Sequence, residues 1–348
     1  MIDVKIPIEN IYYLLCYAWN QLDEAGRIRV TASDYERYID LFARVLKNGC
    51  AYLFKRGLDR EYLPLSGNLT RLQGKVDFNK SMKNLLSSST TLYCDYDDLS
   101  NDVLHNQIIK AIIKKVIRIK SLDKNIYKEL IEVYKRLSHI TDITLTDNHF
   151  IKVRLHRNNL FYRFVLNVAY ILHKNIVINE ISGEYEFSDF IRDERKMAGL
   201  FENFIRNFYK IHLKGTGFDV KPEIIKWNVT EIDPFSLEFL PLMKTDISLN
   251  SERRKIIIDT KYYKECLQEH YNKEKIRSEN LYQLYTYVRN AEAQGGSAQN
   301  CEGILIYPTV KKESDLSYMM ENHKISIKTL NLNQNWKNID ADLLKIIN

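Results

Sequence analysis

Several things are missing from this 348-residue chain, and each absence removes a class of protein. No run of about 18 apolar residues occurs, so nothing is long enough to span a bilayer. The N-terminus, MIDVKIPIEN, has no basic segment leading into an apolar one, so no signal peptide is expected. The five cysteines, at positions 16, 50, 94, 266 and 301, are odd in number and never fall in a C-x-x-C pair. That spacing argues against a zinc or redox motif and for reduced thiols in a cytoplasmic protein. There is no G-x-x-x-x-G-K-[ST] phosphate loop, so the chain is not expected to hold GTP or ATP itself; Gly215-Thr216-Gly217 is only a fragment of a glycine-rich pattern. H-E-x-x-H and G-x-S-x-G are absent too, and the eight histidines form no ligand-like cluster in sequence. Repeats and low-complexity segments are also lacking.

What remains is an ordinary folded composition, 45% hydrophobic and 28% charged, with a net charge of +6 and 23 tyrosines. The mild basic excess is compatible with a polyanionic partner without demanding one. The length suits two domains, and a polar passage, TDITLTDNHF, puts the expected boundary near residue 150. In the first half, NIYYLLCYAW reads as a buried helix with Asn10 as a candidate cap, and a second helix is expected over Asp34–Arg56. Pro64, Gly67 and Gly74 punctuate short alternating segments between Arg60 and Lys80, which read as strands and a protruding hairpin-like element. Asn101–Lys120 has helical period, with Lys110, Lys114 and Arg118 on one face, either a phosphate-binding stripe or a solvated side; another helix is expected near Lys124–Leu137.

The second half is patterned helix, three strands, helix, strand: Met197–Tyr209; Glu223–Val229, Thr245–Leu249 and Lys255–Thr260; Ser278–Asn290; Gly303–Tyr307. A mixed α/β (α+β) fold follows, with helices packed on a mixed sheet. In TDISLNSERRKIIIDTKYYK, Asp246 opens one strand segment and Asp259 closes the next, so folding the hairpin at NSERR brings the two carboxylates together. Lys261 lies two positions beyond Asp259, on the same side of an extended strand. Two acids and an ammonium group at a strand end suit Mg²⁺, which takes one or two carboxylates plus water and substrate phosphate. Lys261 then orients or deprotonates a water, or neutralises charge; an ion pair at a solvated strand end is the plain alternative. Gln283 and Tyr287, one helical turn apart, line the same pocket or a DNA strand, or else pack on the sheet. Glu202, the one acid in an apolar helix, either completes the metal site, hydrogen-bonds its ligands, or is merely exposed.

Asp246, Asp259 and Lys261 resemble the three signature positions of the PD-(D/E)xK nuclease superfamily, with Thr245 where proline usually stands, and Gln283 and Tyr287 resemble the Q-x-x-x-Y feature of one of its branches. The likeness extends over nearly the whole chain. IPIENIYYLLCYAW at the start, QGKVDF at 73–78, DDLSNDVLHNQIIKAII at 97–113, LPLMKTDI at 240–247, IIIDTKYYK at 256–264 and NLYQL at 280–284 are similar to the McrC family, the nuclease subunits of McrBC modification-dependent restriction systems. This resemblance implies a Mg²⁺-dependent endonuclease domain over 151–348, with catalytic residues Asp246, Asp259, Lys261, Gln283 and Tyr287 and metal ligands Asp246 and Asp259; Glu202 joins the catalytic candidates from its place in the apolar helix. It implies an N-terminal domain over 1–150 that docks on a McrB-like AAA+ GTPase hexamer acting on double-stranded methylated DNA, GTP being bound by that partner. The protrusion-like composition of 60–80 makes it the candidate for the inserted finger, with Arg71 and Lys75 as tip contacts; basic residues of an ordinary exposed hairpin are the alternative. A non-catalytic adaptor of an AAA+ partner and a stand-alone nuclease are the competing readings.

Overall fold

A computed structural model describes residues 6–22, 37–86, 90–156, 159–178, 184–188, 191, 193–229, 234–262, 267–270, 273–310 and 314–348. The chain divides into two compact units, one formed by 37–188 and the other by 1–36 together with 189–348. This departs from a single boundary near 150. The polar passage at 141–150 is a connection inside the first unit, where Thr146 and His149 form a capping box for a short helix. Helix α1 (Ile8–Ala18) belongs to the C-terminal unit instead, because its aromatic face needs a partner there. Tyr17 lies 5.5 Å from both Phe204 and Phe208, ring to ring. Asn10 does not cap α1, which starts at Ile8; it sits inside the first turn and donates to the carbonyls of Leu332 and Gln334.

The 37–188 unit is helical around a long ribbon. Its helices are α2 (Tyr38–Arg56), α3 (Phe78–Leu86), α4 (Leu104–Val116), α5 (Lys124–Arg136), α6 (Asp147–Lys152) and α7 (Leu160–Asn175). Asp123 caps α5 by accepting from the amides of Asn125 and Ile126. Strands β1 (Glu61–Leu69), β2 (Lys75–Val76) and β3 (Leu92–Ser100) form a sheet in the order β1-β3-β2, so β1 pairs with β3 over its whole length rather than folding back on 70–80 alone. A small pair, β4 (Ile176–Ile178) and β5 (Tyr185–Phe187), closes the unit. The helix expected over Asn101–Lys120 ends at Val116, so Lys110 and Lys114 share a face of α4 while Arg118 lies beyond its end, and all three have partners in the same unit. Lys110 is buried, with its ammonium 3.4 Å from Asp142; Lys114 lies 3.3 Å from the same carboxylate; and Arg118 donates to the Tyr185 hydroxyl.

The C-terminal unit is built on a mixed six-stranded sheet in the order β14-β15-β13-β10-β9-β6. Its elements are α8 (Glu194–His212), β6 (Asp219–Lys221), β7 (Ile224–Ile225), β8 (Met243–Lys244), β9 (Ile247–Asn250), β10 (Lys255–Thr260), β11 (Leu267–His270), β12 (Lys273–Ile276), α9 (Ser278–Glu292), β13 (Glu302–Thr309), β14 (Asp315–Met320), β15 (His323–Asn331) and α10 (Trp336–Ile346). β10 is antiparallel to β9 and parallel to β13, and α9 is the crossover between the parallel pair. Ile256, Ile257 and Ile258 are fully buried. Ile257 joins Leu284, Val288 and Leu305 in one core, which puts the odd-numbered face of β10 under α9. Gly303 lets α9 sit that close, since a Cβ there would lie 2.8 Å from Ile325 and 3.0 Å from Leu284 and Val288. Cys16, Cys50, Cys94 and Cys301 are buried free thiols; Cys266 and the first residues of the helix expected from Asp34 lie outside the described residues.

Candidate active site

The β9–β10 register pairs Ile247 with Ile258, so the next step out along the ladder sets Asp246 opposite Asp259. Thr260 fixes the first of these acids: its backbone amide and its hydroxyl both donate to Asp246 Oδ2, at 2.8 and 2.9 Å. That double anchor immobilises one oxygen of Asp246. Residue type alone did not reveal it, because Thr260 reads as an ordinary strand residue.

Asp259 is 1% exposed, at the end of the isoleucine run. Neither of its oxygens accepts an aligned hydrogen bond, although the Lys261 ammonium lies 2.9 Å from Oδ2 as an ion pair. Burial pushes its carboxyl up to about 7, and repulsion from Asp246 and Glu202 adds to this against the pull of Lys261. A buried, under-satisfied carboxylate is costly, several kcal/mol by order of magnitude. The three isoleucines before it each contribute about 1.5–3 kcal/mol of burial, enough to hold the strand in place regardless.

Lys261 and the α9 pair form one chain of hydrogen bonds. The lysine donates to Gln283 Oε1 at 2.9 Å, Gln283 Nε2 donates to the Tyr287 hydroxyl at 2.8 Å, and that hydroxyl donates to the Lys244 carbonyl at 3.1 Å. Gln283 and Tyr287 therefore brace the lysine and the backbone just before Asp246. Glu202 on α8 is engaged by Arg206 at 2.7 Å, and its charge is felt at Asp259. On the same face of β10, Lys255 is buried in a pair with Glu223 at 2.9 Å, an interaction with no sequence signal beyond the residue types.

This arrangement fits a small hard cation. Asp259 Oδ1 is a buried oxygen with no hydrogen-bond partner, Asp246 is anchored by one oxygen only, and their mutual repulsion is what a divalent ion relieves. Arg71 and Lys75 lie in the other unit, both exposed, in and after the turn joining β1 to β2. Gly74 holds that turn at φ 68°, where a Cβ would lie 2.2 Å from the Asp95 carbonyl. Around it Leu72, Phe78 and Met82 are 69%, 76% and 60% exposed. Among the described residues no helix is long and apolar enough to cross a membrane.

Comparison with known proteins gives a consistent result. Residues 9–308 match the family model described as McrBC 5-methylcytosine restriction system component. The chain is 32% identical over 341 residues to the Type IV methyl-directed restriction enzyme EcoKMcrBC of Escherichia coli K12, covering 98% of this chain and 97% of that one. In fold it is similar to a chain of the Thermococcus gammatolerans assembly of McrB AAA+ hexamers with bound McrC, with a TM-score of 0.58 at 20% identity, covering 96% of this chain and 75% of that one.

Proposed function

The chain belongs to the McrBC family of 5-methylcytosine restriction system components, and from that membership we propose that it is the Mg²⁺-dependent endonuclease subunit of a modification-dependent restriction complex. The observation that carries the reading is the pair Asp246 and Asp259, set opposite each other with one buried oxygen unpartnered and Lys261 beside it. Asp246 and Asp259 would hold Mg²⁺. The ion, when bound, supplies Lewis-acid stabilisation of charge on a phosphodiester and a more acidic water.

The chain's own groups do the positioning. Thr260 holds Asp246 from two donors, so that carboxylate keeps its direction when a charged substrate arrives. Lys261 faces two acceptors, Asp259 and Gln283 Oε1, which hold its ammonium beside the acids. In this setting it serves as a cation toward the developing phosphate charge. Gln283 and Tyr287 are positioning residues that fix where that cation points. Glu202 acts by its charge on Asp259, from an ion pair with Arg206.

The 37–188 unit is the part that docks on a McrB-like AAA+ GTPase hexamer and stimulates GTP hydrolysis, with GTP held by that partner. The β1–β3 ribbon is the inserted finger, supported by its exposed apolar side chains, and Arg71 and Lys75 are its tip contacts. Cleavage of methylated against unmodified double-stranded DNA, with partner, GTP and Mg²⁺ omitted one at a time, tests the proposal. Cutting is expected only on methylated DNA with all three present. Efficient cutting by the purified chain without the partner would mark a stand-alone nuclease.

A further inference from the structure

Within the 37–188 unit a second group of ligand-type side chains converges. Asp59, two residues before β1, Glu61, the first residue of β1, and His105, in the first turn of α4, bring one donor atom each to within 4.8 Å of one another. The His105 side chain is 2% exposed. Its Nε2 is buried without an aligned hydrogen bond, although Asp59 Oδ2 lies 3.1 Å away. A buried ring nitrogen 3.1 Å from one carboxylate and close to a second, yet making no aligned hydrogen bond, is an unexplained polar atom.

The surroundings are built around these residues. The Asp59 amide donates to the Tyr162 hydroxyl at 2.9 Å, that hydroxyl donates to Asn106 Oδ1 at 2.8 Å, and Asn106 Nδ2 returns to the Asp59 carbonyl at 3.2 Å. Asn159 Nδ2 donates to Asp59 Oδ2 at 2.6 Å, orienting the carboxylate. The Tyr162 ring meets the imidazole edge-on at 4.6 Å between centroids and fixes its plane. Oriented carboxylate and clamped imidazole are the outer supports that metal ligands commonly have.

We propose that Asp59, Glu61 and His105 bind a divalent transition-metal ion, with Zn²⁺ as the best match, that staples the base of the β1–β3 ribbon to α4. One imidazole nitrogen with two carboxylate oxygens suits zinc, whereas Mg²⁺ takes oxygen ligands and keeps most of its water. The two acids sit where the ribbon leaves the helical body, and the histidine is on that body, so one ion ties two elements otherwise joined there by hydrogen bonds. The site is separate from the Asp246–Asp259 pair in residues, unit and metal class, and it stands or falls independently of the nuclease reading.

Calorimetric titration of the chelator-stripped full chain with Zn²⁺, in excess Mg²⁺, is the test. Wild type is expected to bind one zinc with a raised thermal midpoint. Glu61→Gln should bind at least tenfold more weakly, His105→Gln should lose the site, and an Asp246→Asn, Asp259→Asn double variant should bind as wild type does. Glu61 is exposed, so Glu61→Gln decides the matter if His105→Gln does not fold. No zinc binding by wild type, equal binding by Glu61→Gln, or loss following the Asp246 and Asp259 changes would each overturn the proposal.

Discussion

Asp259 is the residue where fold and chemistry pull against each other. Burial and the neighbouring acid Asp246 raise its carboxyl to about 7, so the folded protein retains a proton there that the unfolded chain gives up near 4. A raised acid costs stability as pH rises: the metal-free protein loses none from this group below pH 4, loses it progressively between 4 and 7, and bears the full cost above. That cost is at most on the order of 4 kcal/mol. Asp259→Asn in chelator should therefore melt like wild type near pH 4 and several degrees higher at pH 8, as thermal denaturation at the two pH values will read. A wild type more stable than the variant at pH 8 would mean that the carboxylate is not under this strain. Gln283 is the complementary case. Gln283→Ala leaves both acids in place but removes one acceptor that orients Lys261, and should lower the cleavage rate 10–100-fold with little change in DNA affinity, measured as kcat against KM.

At the scale of elements, the strand β10 is legible because a run of three isoleucines has one economical solution, a buried strand. The helix α9 was equally plain from its period. Less legible were features that depend on partners far along the chain. Thr260 anchors Asp246 through a hydroxyl that looks like any strand threonine, and His105 meets Asp59 and Glu61 only because α4 returns to the foot of β1. The ribbon was anticipated as a protrusion, but its true partner, β3, lies beyond a helix and could not be read from the 60–80 stretch. Two glycines give element-level predictions. Gly303→Ala forces a Cβ against Ile325, Leu284 and Val288, and should destabilise the C-terminal unit by about 1–3 kcal/mol in denaturant unfolding. Gly74→Ala meets backbone at 2.2 Å in a left-handed turn, and should abolish stimulation of the partner's GTPase while leaving the C-terminal unit's melting unchanged.

For the whole molecule, the two compact units are composed in a way the linear order disguises, and the proposed function assigns docking to one and cutting to the other. The first helix leaves the N-terminal half and packs with α8, so a boundary drawn near 150 misassigns both the opening residues and the stretch from 151 to 188. Composition could not reveal that, since an apolar aromatic helix satisfies either unit equally well. Docking through one unit and cutting through the other predicts that the two activities separate. In the complex reconstituted with the AAA+ partner, cleavage of methylated DNA and GTP hydrolysis should be measured together for Asp259→Ala. The account predicts GTP hydrolysis at the wild-type rate with cleavage reduced by about 10³-fold or more. Methylated DNA cut at the wild-type rate by that variant would contradict it.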